Sequence, residues 1–181
     1  MKKLFGVLLA FALILSVCSC GEKTDAPLKT ERFFDYQNNI RSVTATVTEG
    51  TDAYDVKIYF KQVNGKNVCR RIEYKSPETI EGLIFSLEGG KITAELEGVV
   101  ISNSFFSKEG VFRFSKLLAL SEKDIYSIEQ GDGETTRALG KGEDYAWQVV
   151  TDSHGMPLEI SYEDCDGSYK LSVKETELHA S

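Results

Sequence analysis

The 181-residue chain has only 3 Pro, 2 His, 4 Cys and 1 Trp, and no run of lysine or arginine interleaved with aromatics. With so little proline, 41% hydrophobic residues and 27% charged ones, it is neither collagenous, nor low-complexity, nor wholly disordered. His154 and His179 stand far apart, without Cys, His or paired acids at metal-ligand spacing, so no metal site is expected. There are 21 Lys plus Arg against 28 Asp plus Glu, a net charge of −7, and no basic stripe, so nucleic acid is excluded as an expected partner. The same deficit disfavours non-specific adhesion to anionic headgroups, so membrane attachment needs a dedicated device. No repeat of fixed period and no internal linker is visible.

Catalytic signatures are equally scarce. The chain lacks a Gly-x-Ser-x-Gly elbow and a phosphate-binding loop. Gly140-Lys-Gly142-Glu-Asp-Tyr145 supplies only two glycines of a dinucleotide fingerprint, precedes a strand, and reads as a turn. In Asp164-Cys-Asp166-Gly167 the glycine comes two residues too early for a calcium loop, so this reads as a hairpin. Glu95 and Glu97 fall on the solvent side of a strand, where acids protect edges. The expectation is a binding module, not an enzyme.

What the chain does contain begins at its start. Lys2 and Lys3 precede an apolar run over residues 4–17, too short to cross a bilayer with ease and shaped like an export signal. Its end, Val17-Cys18-Ser19-Cys20-Gly21, resembles a lipobox, with an aliphatic residue at −3, a small residue at −1 and the obligatory Cys at +1. Cys20 fits best as the lipidated residue; cleavage before Cys18 would place the larger Val17 at −1. Two or three acyl chains on Cys20 would anchor the protein stably, and no other cofactor is expected. Removing residues 1–19 removes two lysines and no acid, taking the balance from −7 to −9. Residues 20–27 read as the lipidated Cys and a flexible tether, and residues 28–181 as a single domain. The expected location is the outer face of the cytoplasmic membrane. Cys69 and Cys165 are then the domain's thiols, and two free thiols are favoured over a disulfide.

Residues 28–40 carry Phe33, Tyr36 or Gln37, and Ile40 at helical spacing. The period then drops to two. Val56, Ile58 and Phe60 alternate with polar residues, as do Val68, Ile72 and Tyr74, and Leu83, Phe85 and Leu87 lead through Glu88-Gly-Gly90 to Ile92, Ala94 and Leu96. Phe114, Leu117, Leu118 and Ser121 predict an amphipathic helix of about three turns within residues 112–123. Residues 125–144 fit either a loop-rich insert or two short edge strands. Strand character returns at Trp147 and Val149, at Leu158, Ile160 and Tyr162, and at Tyr169, Leu171 and Val173. The fold class is α+β, mainly antiparallel β: one curved sheet covered by two helices or by a ligand. Between Val68 and Ile72, strict alternation points Arg70 to the apolar face, either reaching to the rim or contacting a ligand or acidic partner.

Three stretches together resemble the LolA/LolB-like superfamily, in particular its monoderm branch with the YdcC-type sporulation lipoproteins and the germination lipoprotein GerS. They are Phe34-Asp-Tyr36 through Ile40, Arg71-Ile-Glu73-Tyr-Lys-Ser-Pro77-Glu-Thr-Ile-Glu-Gly82, and Asp152-Ser-His-Gly155-Met-Pro157-Leu. The resemblance implies an open half-barrel with helices over an apolar concavity. It also implies one of two functions: a lipid-anchored protein scaffold, for instance for a peptidoglycan amidase in sporulation or germination, or a lipid or lipoprotein receptor. Phe60, Phe85, Phe114, Leu118 and Trp147 are the candidate cavity lining; in the alternative they form a filled core. A large empty concavity favours the receptor, with an acyl chain as ligand, whereas a packed core with an exposed strand edge favours the scaffold. Such an edge also offers a route to a homodimer.

Overall fold

The computed structural model describes residues 34–102 and 106–179. The signal segment, Cys20 and the tether lie outside the described residues, as does most of the helix expected over residues 28–40. Its described part is the single turn α1 (Asp35–Asn39), which leads directly into a strand.

Among the described residues, eleven strands form one open, curved antiparallel sheet. They are β1 (Ile40–Glu49), β2 (Asp52–Val63), β3 (Lys66–Tyr74), β4 (Ile84–Glu88), β5 (Lys91–Leu96), β6 (Val99–Ser102), β7 (Ile125–Gln130), β8 (Thr136–Lys141), β9 (Tyr145–Thr151), β10 (Pro157–Asp164) and β11 (Gly167–Leu178). The spatial order is β6-β5-β4-β3-β2-β1-β11-β10-β9-β8-β7. The first and last strands are therefore central neighbours, and two meanders run outward to edges at β6 and β7. The segment joining those edges has to travel across the sheet, and its apolar residues become the lid over the concave face.

Sequence chemistry explains the strands. In β1, Val43, Ala45 and Val47 are fully buried while the threonines between them are only partly so, the alternation of a one-faced strand. Gly89 and Gly90, at φ +54° and +82°, make the two-residue turn between Glu88 and Lys91, a conformation with left-handed φ at both positions. Asp164 Oδ1 accepts from the backbone N–H of Asp166 and Gly167, which closes the β10–β11 hairpin. Asp152 Oδ1 does the same for His154 and Met156 before Pro157 opens β10. Residues 125–144 are two strands, β7 and β8, joined by a turn.

Two expectations need correction. The three-turn helix of residues 112–123 is instead a short helix α2 (Lys108–Val111), a 3-10 turn over Arg113–Leu118 and a second over Glu122–Asp124. Ser115 Oγ donates to the Phe112 carbonyl at 2.7 Å and Ser121 Oγ accepts from Lys123 N–H, local bonds that compete with a regular helix. The apolar spacing still serves the core, because residues three apart in a 3-10 turn share a face: Phe114 and Leu117 are both buried. Gly140, read as part of a turn, lies inside β8, and the turn follows at residues 142–144.

Two charge clusters on the outer surface span the central seam. Lys57 of β2 reaches Glu177 of β11 at 2.8 Å, and Lys174 of β11 reaches Asp55, which also accepts from Thr46 of β1. Hydrogen bonds from Lys174 and Thr46 hold Asp55 below the usual carboxylate range; Lys57 does so for Glu177, and Lys75 for Glu73. Depressed carboxylates stabilise the fold above their unfolded pKa, and that contribution is lost as pH falls through the folded values. Thermal melts should therefore show Tm dropping from about pH 5 to about pH 3, with a smaller drop in high salt because the pairs are exposed. A salt-independent drop would assign the acid lability elsewhere.

Candidate functional site

Among the described residues, aromatic side chains pack against one another across the concave face. Phe114 is 1% exposed beneath the lid, and its ring begins a row of aromatics: Tyr54 at 6.3 Å, then Tyr74 at 6.0 Å, Phe85 at 6.3 Å and Phe106 at 5.6 Å. On the other side Trp147 is buried edge-on to Phe34 at 5.8 Å. Thus Phe114, Leu118 and Trp147 belong to one packed core, with Phe85 and Phe60 half-buried against it.

Clefts remain at the two ends of the lid. One, of about 670 Å³, has Ile40, Phe60, Val68 and Leu118 as its apolar surface and Lys66 and Lys108 among its walls. Gln37 and Asn38 of α1 also line it. The opposite cleft, of about 390 Å³, lies between Arg113, Lys116 and the tyrosines Tyr162 and Tyr169, and includes the Arg113–Glu49 ion pair. Among the described residues there is no group of three or more His, Cys, Asp and Glu placed to hold a metal ion.

Both described cysteines are free thiols, Cys69 buried and Cys165 exposed. Burial pushes the Cys69 thiol up to about 12. In the folded protein, iodoacetamide should label Cys165 quickly and Cys69 only after unfolding. Fast labelling of both in the folded state would mean that the lid opens readily.

Arg70 does not face the core. The β2–β3 register shifts so that Tyr59 faces Arg71 while Phe60 faces Cys69, leaving Arg70 as an extra residue on β3. Cys69 and Ile72 consequently both lie in the core, and Arg70 and Arg71 both line a cleft with Lys61 on the outer surface. Arg70 Nη1 donates to the Leu87 carbonyl at 3.4 Å, just beyond the last β3–β4 pair, Arg71 with Ser86.

Sequence reasoning missed the β6 edge. Val99, Val100 and Ile101 are 63%, 61% and 53% exposed, and among the described residues β6 pairs only with β5. The strand carries no Lys, Pro or bulge, the usual devices that keep an edge from pairing. Its signal was present as an uninterrupted apolar triplet next to the Glu97-Gly98 turn. The opposite edge, β7, exposes Tyr126 but also carries Glu129 and Gln130.

No protein family matches this sequence, and no curated protein matches it. Among solved structures, the fold is similar to LprF from Mycobacterium bovis, at 10% identity and TM-score 0.46, over 84% of this chain and 92% of that one. It is also similar to the lipoprotein LppX of Mycobacterium tuberculosis, at 15% identity and TM-score 0.43, over 83% and 94%. A third is an uncharacterised conserved protein of Thermus thermophilus, at 14% identity and TM-score 0.46, over 83% and 85%.

Proposed function

We propose that this chain is a non-catalytic, lipid-anchored protein of the cell envelope, of LolA/LolB-like type, that binds an extended segment of a protein partner along β6. The observation that carries this reading is an unprotected apolar edge on a half-barrel whose interior is packed. An added strand would satisfy the free backbone groups of β6, and Val99, Val100 and Ile101 would supply the apolar contacts. The edge is uncharged, so a partner need not be basic to approach a mature chain whose balance is about −9 once Lys2 and Lys3 are removed with the signal. The lipobox at Cys20 supports residence at the membrane surface, and the sequence resemblance supports a cell-wall amidase as the partner class.

A second reading, an acyl-chain or lipoprotein receptor, is favoured by the cleft at the α1 end. Its apolar surface and the two lysines suit an amphiphile with an anionic head.

Both readings are tested by crosslinking and affinity capture of the anchored protein from its own cells, identifying protein and extracted lipid by mass spectrometry. The scaffold reading expects one stoichiometric wall hydrolase, crosslinked through β6 and weakened about tenfold or more in a V100K/I101K variant that melts normally. Enriched lipid, or many unrelated lipoprotein clients indifferent to that variant, would establish the receptor reading instead. A β6-linked second copy would identify the edge as a homodimer interface.

A further inference from the structure

We infer that the bulge on β3 builds a phosphate-binding site on the outer surface of the sheet, separate from the β6 edge and from the lid. The cleft there has a volume of about 480 Å³ and is lined by Lys61, Arg70, Arg71, Ser86, Leu87 and Glu88. Three cations face one acid, a local excess of positive charge on a chain whose total is −7. The Nε–H groups of Arg70 and Arg71 are both buried with no hydrogen-bond partner. A buried donor left unpaired is costly, and each of these two lacks an acceptor among the described residues.

The neighbouring groups do not supply that acceptor. Arg70 spends Nη1 on the Leu87 carbonyl, which holds the guanidinium in place and leaves its Nε edge free. The Arg71 guanidinium sits over the Tyr59 ring at 5.5 Å, and its Nη2 is 3.7 Å from Glu73, whose carboxylate is already held by Lys75 at 2.5 Å. In a regular strand adjacent side chains would face opposite surfaces; the extra residue puts both arginines on one. Two guanidinium forks, a lysine and the Ser86 hydroxyl lining one cleft supply more donors and positive charge than a single carboxylate needs, and suit the several oxygens of a phosphate. The ligand class is a phosphate group, either free or carried by a lipid headgroup.

The test uses the mature full-length chain in zwitterionic micelles, observing the arginine Nε–Hε resonances by NMR during titration with inorganic phosphate. Saturable downfield shifts of Arg70 and Arg71 are expected, with acetate at equal concentration giving no saturation. R70Q/R71Q should weaken binding at least about tenfold, and K61Q by a smaller factor. K61Q replaces an exposed residue, so it reports on the site even if loss of the Arg70–Leu87 bond unfolds the double variant. Flotation of an unacylated C20S chain with phosphatidylglycerol or phosphatidylcholine vesicles distinguishes the sources, because an acyl anchor would carry the protein to either vesicle. K61Q-sensitive binding to phosphatidylglycerol alone assigns a headgroup, whereas phosphate binding without such vesicle binding assigns a free phosphate. Absence of any saturable shift, or equal shifts with acetate or in K61Q, overturns the proposal.

Discussion

Replacing Phe114 by alanine is expected to cost about 3–5 kcal/mol of stability, the loss typical of a fully buried phenylalanine. The ring is 1% exposed and joins the lid to Tyr54 at 6.3 Å, and through Tyr54 to the aromatic row that fills the concavity. Little in the surroundings can collapse into the space, because the sheet beneath is fixed by its ladders and Leu117 and Leu118 are already buried. For a domain of this size the loss corresponds to a Tm lower by roughly 6–20 °C, readable by circular dichroism. The same variant should increase labelling of Cys69, because the lid's hold on the sheet is weakened. A loss below about 1 kcal/mol would show that the lid is loosely seated and the concavity accessible, which would favour the receptor reading.

Adding one methyl group at Gly140 is expected to be nearly as damaging. Gly140 is buried in β8 directly across from Trp147 of β9, whose indole lies over it: a Cβ there would stand 2.0 Å from Trp147 Cε2. The clash is with a ring packed against Phe34, so relief requires moving the indole or parting the strands. Overpacking of this kind costs about 1–3 kcal/mol and occasionally more, and the larger figure applies because the neighbour is rigid. A double-mutant cycle separates the causes: G140A combined with W147L should cost clearly less than the sum of the single changes. Strict additivity in urea melts would sink this account and leave altered backbone freedom as the explanation.

The alternation of apolar residues made most strands legible, since a strand with one buried face writes that face into its sequence. The Glu88-Gly-Gly90 and Asp164-to-Gly167 turns were legible for a similar reason, because left-handed φ and Asx bonds restrict residue choice. The lid was legible in its burial but not in its form. Phe114, Leu117 and Leu118 satisfy an α-helix and a 3-10 turn alike, and local serine bonds decided between them. β1 escaped because its alternation uses valine, alanine and threonine, whose polarity contrast is weak, although it is a central strand of the sheet.

Arg70 shows where period counting fails. A bulge adds one residue without leaving a gap, so every later side chain changes face and a residue placed by parity goes to the wrong side. The Arg70-Arg71 pair between buried Cys69 and Ile72 carried the signal, because two successive charges inside a strand require either a bulge or a buried ion. Phe114, Leu118 and Trp147 sit in one buried core, with Phe60 and Phe85 partly buried against it. Whether they enclose space or fill it depends on how closely the crossing segment approaches the sheet, a distance that no local pattern encodes.

By itself, then, the sequence determined a mainly antiparallel sheet, its tight turns and an apolar covering segment. Each of these is set by the period, φ preference or chemistry of neighbouring residues. Tertiary structure alone decided that β1 and β11 are partners, that Phe114, Leu117 and Leu118 of the lid are buried, that β6 is an edge strand among the described residues, and that Arg70 and Arg71 line one cleft. Those outcomes depend on register and on contacts between residues far apart in the chain, where the free energy of packing the whole sheet outweighs local preference.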